Sequence, residues 1–210
     1  MNNSAIANTF ESWLELFNFN FTASELTQDA DLIRQLPFIP GLKEILMIRQ
    51  VHGLEHATVW VLSEAVGGQV DNELLGGLST EQGFYLYGQV DKTDLQRAVA
   101  IASSRLTSGE WNLALHPRCG TNLSVGMLLT FGLAMTAHLL LPREPIGQIL
   151  GLGVATSAAV NLAPELGMLA QRYITTAIPF NLEIVDISVK QDIWGQAAHF
   201  VEVRWSEVRG

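Results

Sequence analysis

A single cysteine stands in the 210 residues, so no internal disulfide can form and nothing calls for an oxidising compartment. Cations are scarce too. The chain holds 12 Lys and Arg against 21 Asp and Glu, a formal net charge of −9, with no basic run anywhere. Counterion release at phosphates needs clustered cations, so nucleic acid is excluded as a partner. Charge of either sign is thin, at 16%, where soluble proteins carry roughly 25%. With a positive mean hydropathy of +0.23, that deficit points to lipid or to a very large buried core. Met1 to Asn20 is polar and acidic, lacking a basic n-region and an apolar h-region, so no signal peptide is expected. Repeats, low-complexity tracts, a Gly-rich phosphate loop, a serine nucleophile motif and C-x-x-C-H are absent as well.

What is present is concentrated in two places. His52-Gly53-Leu54-Glu55-His56 reads H-x-x-E-H, and His116-Pro117-Arg118-Cys119-Gly120-Thr121 follows sixty residues later. On a helix His52 and His56 sit about 40° apart and Glu55 about 60° from His52, so all three share one side. The second stretch offers an imidazole and a thiol three residues apart in a Pro/Gly turn, a spacing also used in zinc knuckles. Three of the five histidines and the cysteine fall in these two places. H-x-x-E-H alone occurs by chance in helices as a solvated histidine pair. The downstream pair supplies the third and fourth ligands that a two-histidine helix lacks. One transition-metal site is therefore expected, with His52, His56, His116 and Cys119 as ligands and zinc as the ion.

The chain around these motifs divides by composition. Residues 1–40 form an N-terminal segment with one amphipathic stretch, Phe10 to Phe17, suited to a membrane interface, a core or a partner. Pro37 and Pro40 precede a predicted helix from Gly41 to Ala65, ended by Gly67-Gly68. Gly76-Gly77 opens a β-rich run through Phe84 to Tyr87. Asp91 to Ser108 reads as a helix capped by Asp91 or Thr93, and Trp111 to Leu115 alternates like a short strand. Leu123 to Leu141 and Pro145 to Pro164 then lack formal charge at neutral pH, separated by a short turn holding Arg143 and Glu144. Each is long enough to cross a bilayer. Gly147, Gly151, Ala155, Ala159 and Ala163 recur every four residues, a stripe that lets helices approach closely. A buried hairpin in a soluble core is the competing reading, kept open by Thr156, Ser157 and Asn161. His138 is expected to hydrogen-bond across the hairpin or near its end, and to stay off the metal. The tail alternates from Leu182 to Val189 and from Phe200 to Trp205 around Trp194-Gly195, a β-hairpin in which His199 is structural.

The expected fold is α+β and mainly helical, with a two-helix transmembrane hairpin and a C-terminal β-hairpin packed on a small metal-binding domain. The expected boundaries are 1–40, a metal-binding α/β part over 41–121, the hairpin over 122–165, and a C-terminal β-hairpin segment over 166–210 that forms one unit with 41–121.

The motif order His-Gly-x-Glu-His, His-Pro-Arg-Cys-Gly-Thr, an apolar hairpin and then Gln171-Arg172-Tyr173-Ile174-Thr175-Thr176 resembles a bacterial family of uncharacterised membrane proteins. These are described as predicted metal-dependent enzymes, and related domains of unknown function occur in photosynthetic bacteria. The resemblance covers roughly residues 45 to 177 in motif order. It implies a metal centre at His52, Glu55, His56, His116 and Cys119 and a membrane setting, with no role for the Gln171 to Thr176 stretch.

Two functions follow. With one coordination position open, zinc activates water and Glu55 is the general base, a membrane-anchored hydrolase related in logic to inverted H-x-x-E-H peptidases. With both His116 and Cys119 bound, the site is closed and structural, in a non-catalytic membrane scaffold or assembly factor whose Glu55 orients a ligand. Lipid is the expected partner, with a protein partner or a second copy meeting the small-residue stripe. The expected location is a plasma or thylakoid-type membrane, with the metal site on the cytoplasmic side: Arg118 and Arg172 flank the spans and Arg143 lies in the turn.

Overall fold

The computed structural model describes residues 28–36, 38–65 and 74–206. The amphipathic stretch at Phe10 to Phe17 and the glycine pair at 67–68 lie outside the described residues. The chain divides into two compact units. Ala23–Leu115 and Thr175–Gly210 make one, and His116–Ile174 belongs to the other.

The first unit is α+β. Helix α1 spans Gln28–Gln35, α2 spans Leu42–Ala65, and α3 spans Lys92–Thr107. Strands β1 (Gly76–Thr80), β2 (Gly83–Tyr87), β3 (Leu182–Gln191) and β4 (Ala197–Trp205) form one antiparallel sheet in the order β1-β2-β4-β3. The predicted β-rich run and the tail hairpin are thus neighbours, paired through Phe84↔Val201 and Leu86↔His199. Alternation puts Phe84, Leu86, Val201 and Val203 into the core. There they meet Val51, Leu54, Ala57 and Val61 from α2 and Leu95, Val99 and Leu106 from α3. Helix α2 is buried on nearly every side over its central turns because the sheet, α3 and residues 111–114 all pack on it. Asp91 caps α3 as expected, its carboxylate accepting from the Thr93 N–H at 2.7 Å. His199 Nε2 donates to the Val90 carbonyl at 3.0 Å.

One predicted element is different. Residues Trp111–Ala114 form a 3₁₀ turn, where a short strand was expected. Leu113 N–H donates to Glu110 O and Leu115 N–H to Asn112 O, each at 3.1 Å, so this backbone is satisfied locally and does not join the sheet. Apolar alternation over five residues cannot separate the two geometries.

The second unit is a helical hairpin. Helix α4 spans Gly120–Leu140, and α5 spans Pro145–Ala170 and runs on as a π turn over Gln171–Thr175. The expected boundary near residue 165 falls inside α5, which continues through Pro164. Both helices are long and apolar enough to cross a membrane. Among the described residues of α4 none is buried, which is not how a soluble core helix looks. Outward-facing Leu128, Phe131, Ile149 and Val154 are all at least 65% exposed. The small-residue stripe is where α5 meets α4. A Cβ on Gly126 would lie 3.4 Å from the Ala163 methyl, and one on Gly151 would touch Leu141 and Ala137. Ala155 and Ala159 are buried along the same line. At the turn, His138 Nδ1 donates to Gln148 Oε1 at 2.9 Å. Gln148 Nε2 donates onward to the Leu141 and Pro142 carbonyls at 3.2 and 3.0 Å, satisfying acceptors that the end of α4 leaves over.

The stripe makes neighbouring positions on α5 respond oppositely to one substitution. Ala159 is 0% exposed and Val154 is 71% exposed. Ala159→Leu should overpack the hairpin and cost about 1–3 kcal/mol, whereas Val154→Leu should stay within about 0.5 kcal/mol of wild type. Thermal unfolding of the two variants in one detergent measures the contrast.

Candidate metal centre

Three of the predicted site residues sit in the buried middle of α2. His52 Nδ1 lies 3.0 Å from the Thr175 carbonyl oxygen and His56 Nδ1 lies 2.7 Å from that of Ala114. A carbonyl oxygen can only accept, so each Nδ1 carries the hydrogen. In the neutral ring the lone pair is then on Nε2, the tautomer that a metal-binding histidine adopts when a backbone carbonyl orients it. The two ring centroids are 4.3 Å apart.

The local sequence explains how the backbone comes so close. A Cβ on Gly53 would strike the Ala177 carbonyl oxygen, so any other residue there would push the incoming chain off α2. That chain is held by Ala177 N–H to Arg49 O at 2.9 Å and by Arg49 Nη2 to Thr176 O at 3.2 Å. The Thr175 carbonyl meets His52 as a result.

Glu55 is buried beside the histidines. Ser79 Oγ on β1 donates to Glu55 Oε2 at 2.8 Å. The carboxyl group also lies where a Cβ on Gly77 would be. Burial pushes the Glu55 carboxyl above the ordinary carboxylate range, against the opposing effects of His52 and of the Ser79 hydrogen bond.

The other two predicted residues belong to the hairpin unit. Cys119 is the N-cap of α4, and its sulfur accepts the Thr121 N–H at 3.4 Å. The positive end of a helix favours negative charge on such an atom, as a thiolate ligand requires. Cys119 N–H closes the turn onto His116 O at 3.2 Å. His116 Nδ1 accepts the Arg118 N–H at 3.3 Å, so in the neutral ring its hydrogen is on Nε2. That is the opposite tautomer from His52 and His56.

His52, His56 and Cys119 each offer one ligand atom and make a donor set that could bind a metal ion. His116 is not in that set. Its Nδ1 lone pair already serves the turn that presents Cys119. Sequence reasoning missed Ser79 and the packing roles of Gly53 and Gly77, and it noted Thr175 only as part of a motif without a role. The one available signal was the Gly76-Gly77 pair, whose second member looked like a chain opener and is in fact the space that Glu55 occupies.

Residues 47–187 match the domain of unknown function DUF6391. The chain belongs to this family. It is 53% identical over 190 residues to an uncharacterized protein of Picosynechococcus sp., an alignment covering 88% of this chain and 93% of that one. No solved structure matches. The family span contains His52, Glu55, His56, His116, Cys119 and the hairpin, and it ends within β3.

The contact between Gly77 and Glu55 is open to a double-mutant cycle. Gly77→Ala should destabilise the chain by about 1–3 kcal/mol, and most of that cost should vanish when Glu55→Ala makes room. Chemical denaturation of the two single variants and the double variant measures the coupling. An equal cost in both backgrounds would mean that the contact is not made.

Proposed function

We propose that this DUF6391 protein is an integral-membrane zinc protein, with zinc held by His52, His56 and Cys119 and one position left for water, acting as a metal-dependent hydrolase. The observation that carries the reading is the shared tautomer of His52 and His56, fixed by two backbone carbonyls, which puts each lone pair on Nε2, the nitrogen a ligand bond would use. Covalent continuity supports the third ligand. Ala114, bonded to His56, is two residues before His116, and Leu115 is held by Trp60 Nε1 at 2.9 Å. The turn bearing Cys119 therefore starts from a point anchored on α2. Two imidazoles and one thiolate suit zinc, and three protein donors with a position for water is the pattern of catalytic zinc centres.

When bound there, zinc would supply a water whose pKa lies near 7. The remaining chemistry belongs to the chain. Glu55 is the buried carboxyl that takes a proton and returns it to a leaving group, while Ser79 holds its Oε2. The membrane part of the reading rests on two helices of spanning length whose apolar side chains face outward. Exposed in water, such a surface would be an aggregation liability, and in lipid it is ordinary. Arg118 and Arg172 flank the open end of the hairpin and Arg143 lies in its turn, which favours the metal site on the cytoplasmic side of a plasma or thylakoid-type membrane. Because the small-residue stripe is occupied within the hairpin, a second copy of the chain or another protein would bind through a different face.

Purified in detergent, the chain should carry one zinc. His52→Ala or His56→Ala should lose most of the metal affinity, because each removes one of few ligands. Glu55→Gln should keep the metal and abolish turnover on a panel of peptide and ester substrates. A fully loaded variant lacking both histidines would overturn the reading. Full activity in Glu55→Gln would overturn the role of Glu55.

A further inference from the structure

The Gln171-Arg172-Tyr173-Ile174-Thr175-Thr176 motif has no role in the chemistry above, yet its first residue is a fully buried amide at the point where α5 passes into the π turn. We propose that Gln171 is a positioning residue of the metal centre, holding the turn that delivers Cys119. The proposal rests on the metal reading.

The geometry lies within the hairpin unit. Gln171 Oε1 accepts the His116 N–H at 2.8 Å, and Gln171 Nε2 donates to the His116 carbonyl at 3.0 Å. One side-chain amide thus grips both backbone polar groups of a single residue, as a neighbouring strand would. Nε2 also donates to Asn122 Oδ1 at 2.7 Å. Asn122 in turn holds the Pro117 carbonyl through Nδ2 at 2.7 Å and the Cys119 carbonyl through its own N–H at 3.0 Å. The carbonyls of His116, Pro117 and Cys119 are therefore all bound by Gln171 or Asn122. Gly167, one turn before Gln171, has Asn122 where its own Cβ would be, so the helices touch here without a spacer.

A buried amide is costly unless its hydrogen bonds are made, and those of Gln171 are made to the backbone of His116 and to Asn122. An outer group that orients a ligand in this way typically changes metal affinity roughly 10–100-fold. The π turn begins at the same residue, and such distortions concentrate at functional sites.

The full chain in detergent, stripped of metal, is titrated with Co²⁺ against a competing chelator. Affinity and the near-ultraviolet thiolate-to-cobalt absorption band are both read. Gln171→Met keeps the volume and removes the grip. It should weaken Co²⁺ binding by roughly 10–100-fold and diminish the thiolate band, with unchanged helical circular dichroism. Asn122→Ala should weaken binding in the same direction by a smaller factor, and it carries the test alone if Gln171→Met does not fold. Wild-type affinity and a full thiolate band in a folded variant would overturn the proposal and leave the metal reading standing. If the wild-type chain itself shows no thiolate band with Co²⁺, the metal reading falls, and the role of Gln171 with it.

Discussion

Two imidazole N–H groups set the terms for the rest of this protein. His56 gives its hydrogen to the carbonyl of Ala114, and His52 gives its own to the carbonyl of Thr175. Those carbonyls are the places where the chain leaves the α/β unit for the hairpin and where it comes back. Helix α2 therefore carries two candidate ligands and also holds the two segments of its own unit that flank the hairpin in sequence. Gly53 makes the grip on the returning strand feasible, since a larger residue would hold the Ala177 carbonyl away. Coupling of this kind makes ligand geometry and chain connectivity a single problem, as is common where histidines bind metals through a fixed tautomer.

The hairpin solves a different problem with different means. Its outer surface is apolar and its inner line is small, so the two backbones approach closely. Polar groups appear where they can be satisfied. Gln148 serves the turn, Asn161 Nδ2 bonds back to the Ser157 carbonyl at 2.7 Å, and Thr130 and Thr136 bond to carbonyls one turn earlier. Pro164 sits inside α5, where a soluble helix would usually have ended. Apolar helices tolerate such breaks when neighbouring groups compensate.

Much of this was legible because its causes are local. The shared face of His52, Glu55 and His56 follows from helical spacing, and the hairpin follows from two uncharged stretches of bilayer length. The tail hairpin follows from alternation around Gly195, whose φ of 78° the turn requires. What escaped reading depends on contacts far apart in sequence. The pairing of β2 with β4 joins residues more than a hundred positions apart. Ser79 and Gly77 matter to Glu55 through tertiary packing alone. The tautomer of His116 is likewise set in the folded turn, by the Arg118 N–H on its Nδ1, and spacing carries no information on it. The strand expected at 111–115 failed for a related reason: five alternating residues carry no information on whether a partner strand is within reach.

The central claim is that two imidazoles of α2 and the N-cap thiol of α4 share one ion. X-ray absorption at the zinc edge of the purified, detergent-solubilised chain tests it most directly. The account predicts one sulfur at about 2.3 Å and two imidazole nitrogens at about 2.0–2.1 Å, with a light oxygen scatterer completing the shell. Cys119→Ser should remove the sulfur contribution and leave the nitrogens. A shell of oxygens without sulfur, or a spectrum unchanged by Cys119→Ser, would contradict it.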